Sequence, residues 1–282
     1  MTSSSTRGRG QNARYSTPVV DQFGLVVAVA ATALWAVCAL PALGGGAARA
    51  DVPLTIAVSV VMLLAAVQWL ALLRRFGASP PIPAALVGIT VTLVAAAVSG
   101  QLGAVVGLVA GVVLAYCWRI VQETDSRLAD VGYATLGVVV FGFLPAQMLL
   151  LRRLDAGPSG FYMYLAIVVV FEIVQSVLSR PARDGTRGAD MSTLAAAVGA
   201  TIAGVVGGAV AGTPVGAAGG LLVGAATAAG AAAGRACRAA LAPAPEVDGR
   251  RVRRRPLLLD ALAPHLFAAP FAFLAFRMVA AG

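Results

Sequence analysis

Two carboxylates stand where chemistry inside a membrane would need them. Glu172 lies deep in the apolar stretch Tyr164–Leu178, and Asp260 opens the last apolar stretch of the chain. Acids in such surroundings are costly, and they usually face a cavity, a partner or a substrate path. Two readings of each remain open. Glu172 is either a functional acid or a group kept protonated or paired with Gln175, three residues on. Asp260 is either a site residue or an acid favoured by the positive end of its own helix. A third feature is the arginine-rich segment between the last two apolar stretches. It holds Arg235, Arg238, Arg250, Arg251, Arg253, Arg254 and Arg255. Such a cluster either sets membrane topology or binds phosphate on a lipid or nucleotide, at roughly 1 kcal/mol per arginine near an anionic surface.

Other chemistries are excluded by what the chain lacks. All 21 basic residues are arginine, so no Schiff-base lysine and no phosphate-loop lysine exists. His265 is the single histidine, which excludes a histidine metal cluster. The three cysteines, Cys38, Cys117 and Cys237, form no Cys-x-x-Cys pair and no disulfide framework. There is no His-Glu-x-x-His and no Gly-x-Ser-x-Gly. The net charge of +9 does not point to nucleic acid, because the arginines cluster at the ends of apolar runs.

The elements that must position these residues follow from hydropathy. Apolar residues make up 59% of the 282-residue chain and charged residues 12%, a balance foreign to soluble domains. A membrane core about 30 Å thick needs about 20 apolar residues in a helix. Runs of that kind lie near 23–43, 53–73, 82–99, 101–118, 132–151, 161–179, 192–212, 214–234 and 257–280. The expected fold is therefore an all-α, nine-helix transmembrane bundle over residues 19–282, preceded by a polar tail at 1–18. The least marked divisions are Ser99-Gly100-Gln101 and Thr213-Pro214. The first run, followed by Ala48-Arg49-Ala50, is too long for a cleaved signal core and is expected to remain as a span.

Arginine placement orients the bundle. With the N-terminus in the cytoplasm, every arginine faces inward except Arg49, Arg152, Arg153 and Arg277. That bias predicts a multi-pass cell-membrane protein with its C-terminus outside. Within 192–234, Gly204, Gly208 and Gly212 recur every fourth residue, as do Gly216, Gly220 and Gly224. Small residues at this spacing let helix backbones touch, either within the chain or across a homodimer or heterodimer face.

The final run carries a resemblance. Leu259-Asp260-Ala261-Leu262-Ala263-Pro264-His265-Leu266-Phe267-Ala268-Ala269-Pro270 resembles the closing signature of the CDP-diacylglycerol synthases (phosphatidate cytidylyltransferases), L-D-R-x-D-S-x-x-F-A-A-P, in register and without a gap. Leu151-Arg152-Arg153-Leu154 with its following Gly-Pro looks like that family's segment before the sixth span. Phe171-Glu172 followed by Arg180 resembles its N-D-x-G-A-Y…G-R helix. The resemblance covers about residues 130–282 and implies nine spans, a cytoplasmic site, and magnesium ions that join phosphatidate to CTP.

The departures fall on the implied ligands. Gly234-Arg235-Ala236-Cys237-Arg238-Ala239 stands where the family has G-D-x-x-E-S, so both acids are arginine. Ala261 and Ala263 replace the arginine and second aspartate of D-R-x-D. Ala189–Ala195 replaces S-P-K-K-T-W-E, and Arg253-Arg254-Arg255-Pro256-Leu257 replaces P-G-H-G-G. A unit positive charge about 4 Å from a cation costs about 4 kcal/mol at an effective dielectric of about 20. The expectation is a degenerate relative that needs no cofactor and acts by binding membrane lipids, notably anionic phospholipid, or as a partner subunit. Two alternatives stand beside it. One is an active magnesium-dependent cytidylyltransferase rebuilt on Glu172, Asp260 and Asp248, with Asp260 as a metal ligand. The other is an unrelated permease.

Overall fold

The computed structural model describes residues 18–40, 47–121, 128–154, 156–178, 185–210, 215–241, 246–247, 250–251 and 258–281. Nearly all of this is helix. The elements are α1 (Pro18–Cys38), α2 (Ala47–Arg75), α3 (Ile82–Val121), α4 (Leu128–Val138), a π turn (Val139–Phe143), α5 (Leu144–Leu151), α6 (Gly157–Leu178), α7 (Gly185–Val210), α8 (Gly216–Leu241) and α9 (Leu258–Ala281). A two-residue antiparallel ladder pairs Glu246 with Arg251 and Val247 with Arg250. Among the described residues, seven helical segments are long and apolar enough to cross a membrane, and Leu25–Cys38 adds a shorter apolar one.

Two of these elements depart from a simple rod. α4, the π turn and α5 run on as one helical segment, Leu128–Leu151. The π turn has a local cause: Pro145 lacks an amide hydrogen for the Phe141 carbonyl, and the Leu144 amide instead bonds five residues back, to Val139. α3 contains 40 residues but reverses at Gly100, whose φ of 66° and ψ of −142° lie outside helical space. Its halves then fold back together. A Cβ placed on Gly107 would sit 2.6 Å from the Thr92 Cα, and one on Gly88 would sit 2.9 Å from the Gly111 Cα. Close backbone contact therefore fills both glycine faces of this hairpin.

Burial orders the bundle. α9 and the α4–α5 rod are the most enclosed segments, and α7 is the least. Met191, Leu194, Val198, Ile202, Val206 and Val210 form an exposed stripe along α7, spaced three or four residues apart as one helix face requires. The opposite face packs on α8. A Cβ on Gly208 would approach the Gly216 carbonyl oxygen to 2.2 Å, and one on Gly220 would approach that of Gly204 to 2.3 Å. The periodic glycines read from the sequence thus meet one another within the chain. On the far side, Trp69 of α2 lies over Gly137 and against Phe141, with ring centroids 5.6 Å apart.

The sequence boundaries shift by five residues or more at four helices: α2 begins at Ala47, six residues before its apolar run, and α8 ends at Leu241, seven past its own. α1 begins at Pro18 and ends at Cys38, where hydropathy marks 23–43. α7 begins at Gly185, seven residues before its apolar run. In both cases polar residues join the helix end, and hydropathy does not register them. The Thr213-Pro214 break and the tail at 1–17 lie outside the described residues.

Candidate functional site

The singled-out side chains lie toward one end of the bundle. Asp260 is the third residue of α9 and half-buried, in a first turn where the helix dipole favours an acid. Glu172 is buried near the C-terminal end of α6. One turn further on, the Gln175 Nε2 donates to the Ser192 hydroxyl at 3.0 Å and ties α6 to α7. Arg235 is half-buried on α8. None of Glu172, Arg235 and Asp260 is without a partner.

The α8–α9 contact places the arginines relative to Asp260. A Cβ on Gly234 would lie 2.5 Å from the Ala263 carbonyl oxygen, and one on Gly230 would lie 2.7 Å from the Ala268 Cα. The helices are antiparallel and their backbones touch. In this register Arg235 lies level with Leu262 and Ala263, and residue 238 lies level with Asp260. The side chains of Arg238, Arg250 and Arg251 lie outside the described residues, as do Arg253, Arg254, Arg255, Asp248 and Arg180 altogether.

A two-cation centre would need carboxylates converging from several helices. Among the described residues, no three of His, Cys, Asp and Glu come close enough to hold a metal ion. Arg235 and Ala263 stand where the resemblance puts acids.

Sequence reasoning passed over a second polar constellation. His265, Trp35 and Tyr164 are fully buried, and Thr32 nearly so. The His265 Nε2 lies 2.8 Å from the Thr32 hydroxyl, and the Tyr164 hydroxyl donates to the His265 carbonyl at 2.6 Å. Trp35 meets the imidazole edge-on at 5.7 Å. These contacts join α1, α6 and α9. The signal was available: one histidine in an apolar helix, flanked by Pro264 and Pro270, needs polar partners from elsewhere.

Arginines close the other end. Arg152 is buried and donates to the carbonyl of Ala39, just past α1. Arg153 donates to the Ala97 carbonyl in the first half of α3. Carbonyls at helix ends lack intrahelical partners, and arginine satisfies them well. At the Asp260 end, the Asp130 carboxylate accepts the Ser79 amide at 2.8 Å, and the Gln68 side-chain oxygen accepts the Leu258 amide at 3.0 Å.

Fold and site together define the class: a helical, multi-pass membrane protein. No family model, curated protein or solved structure matches the chain.

Proposed function

We propose that this chain is a nine-pass cell-membrane protein with a cytoplasmic N-terminus, akin to the phosphatidate cytidylyltransferases but catalytically degenerate. It acts by binding anionic phospholipid at its cytoplasmic arginines or as a partner subunit. Nine passes are supported by the Gly100 reversal, which makes α3 two crossings. They are also supported by how loop residues gather. Ala39 meets Arg152, and Ala97 meets Arg153, at one end. Ser79 meets Asp130, and Gln68 meets Leu258, at the other. Nine alternating crossings put each of these pairs on a common side.

The observation that carries the degenerate reading is the contact of Gly234 with Ala263. It aligns the α8 arginines with the first turns of α9, where the resemblance implies a ring of acids. Arginine can neutralise phosphate by forked hydrogen bonds, but it cannot act as a Lewis acid toward a phosphoryl group. Lipid binding without turnover follows from that exchange.

The test is incorporation of radiolabelled CTP into lipid by the purified protein, given phosphatidate and magnesium. The expected result is no CDP-diacylglycerol above the background of an Asp260→Asn control. Robust incorporation that the control abolishes would establish the rebuilt enzyme instead.

A further inference from the structure

The end of the bundle opposite Asp260 holds a cavity of about 650 Å³, within the roughly 300–1,000 Å³ range of small-molecule sites. Its wall joins the Gly100 turn, the end of α5 and the last turns of α9. Two arginines far apart in the chain, Arg153 and Arg277, line it. Arg153 is anchored by the Ala97 carbonyl, and Arg277 is held 5.9 Å from the centre of the Phe273 ring. Gln101 adds a side-chain amide, and Phe276 and Val279 supply apolar wall. No carboxylate is among the described lining residues.

The surroundings fix what kind of molecule fits. Phe271, Leu274 and Met278 form an exposed apolar stripe on α9 beside the cavity, and Val98 and Leu102 flank the Gly100 turn in the same way. In a membrane these surfaces meet acyl chains, while the arginines sit at headgroup level. Their position also demands a reason. In the proposed topology Arg153 and Arg277 are on the translocated side, against the general bias of arginine toward the cytoplasm. Arg152, their neighbour, bonds the Ala39 carbonyl as Arg153 bonds that of Ala97, and Arg153 and Arg277 both line the cavity.

We infer that this cavity binds one anionic phospholipid from the adjacent leaflet. Its phosphate lies between Arg153 and Arg277, and its chains lie along the exposed face of α9. The site is separate from the arginines of α8 and does not depend on the family resemblance, only on the membrane reading.

The experiment uses the full-length protein in nanodiscs and native mass spectrometry of the lipid retained on release. Phosphatidylglycerol is compared with phosphatidylcholine, and inorganic phosphate is added as a competitor. The expected result is retention of phosphatidylglycerol in preference to phosphatidylcholine, with one copy at this cavity besides any held by the cytoplasmic arginines. Arg277→Gln should lower that preference about fivefold, and Arg153→Gln with Arg277→Gln about 25-fold. Arg277→Lys should retain most of it, and Leu194→Ala, on the exposed face of α7, should retain all of it. Ala280→Trp should lower occupancy of both lipids by filling the cavity mouth. Equal retention of the two lipids, or an undiminished preference in a folded double variant, would overturn the inference. Displacement of the lipid by equimolar inorganic phosphate would also overturn it, assigning the arginines to a free anion. None of these results would alter the outcome of the CTP assay.

Discussion

The Nε2 atom of His265 lies 2.8 Å from the hydroxyl of Thr32, and that hydroxyl also bonds the Ala28 carbonyl at 2.7 Å. A hydroxyl has one hydrogen, and a carbonyl can only accept. Thr32 therefore donates to Ala28 and accepts from His265, which in the neutral imidazole selects the Nε2–H tautomer. Its Nδ1, without a hydrogen-bond partner, is then a bare acceptor and not a stranded N–H.

That arrangement makes a graded prediction. Thr32→Val keeps the volume and loses an interhelical hydrogen bond, which in a bilayer costs about 0.6 kcal/mol and at most about 1.7. His265→Ala also leaves a hole beneath Trp35 and should cost about 2–5 kcal/mol, as large-to-small core changes do. Reversible unfolding in mixed detergent micelles checks both values. Equal stability of His265→Ala and wild type would mean that the cluster does not hold α1 to α9.

Much of the architecture was legible in the chain, for a physical reason. Lipid imposes long apolar runs, but Ser99-Gly100-Gln101 was among their least marked divisions, and the positive φ of Gly100 makes it a reversal. Helix ends were less legible. Asp21 and Gln22 belong to α1, and the polar residues from Gly185 belong to α7, but hydropathy carries no signal for a polar helix end. The depth of Glu172 could be read directly, because acids are rare in such runs. Two further features could not be. The alignment of Arg235 with the start of α9 depends on where Gly234 meets Ala263, and His265 finds Thr32 across 233 residues. Hydropathy encodes depth, not which faces meet.

The glycine contacts give a second prediction. Gly208→Leu or Gly220→Leu puts a side chain where backbone atoms already lie within 2.3 Å of an ideal Cβ. α7 and α8 must part, at a cost of about 1–3 kcal/mol or more. Gly132→Ala is the contrast, because its Cβ would meet nothing within 4 Å. Removing backbone freedom there should stabilise the protein by about 0.5–1 kcal/mol. Thermal melts in one detergent would rank the three variants. Leucine variants that melt with wild type would show that the helices do not touch at these glycines.

Asp130 is buried and accepts the Ser79 amide just before Pro80 and Pro81. Asp130→Ala removes a charged acceptor and should cost about 1.5–3 kcal/mol. Asp130→Asn keeps an oxygen for the amide and should cost less. Hydrogen exchange at Ser79 reads the bond itself. The amide should exchange faster in the alanine variant and retain much of its protection in the asparagine one.

The last prediction separates one crossing of α3 from two. A continuous 40-residue helix would be about 60 Å long, twice the roughly 30 Å hydrocarbon core, and would deliver its ends to opposite sides. The Gly100 hairpin returns them to the same side. In a background with Cys38, Cys117 and Cys237 replaced by serine, single cysteines are placed at Arg75, Gln101 and Ile120, all exposed in the structure. A membrane-impermeant maleimide added to intact cells should label Gln101→Cys alone. Permeabilised cells should allow labelling of Arg75→Cys and Ile120→Cys as well. Arg75→Cys and Ile120→Cys reacting from opposite sides would eliminate the hairpin and invert every later loop. That inversion would carry Asp260 and the α8 arginines away from the cytoplasm. Labelling of Arg75→Cys and Ile120→Cys from outside, with Gln101→Cys protected, would keep nine crossings but reverse the whole bundle. The arginine bias could not then be its topology signal.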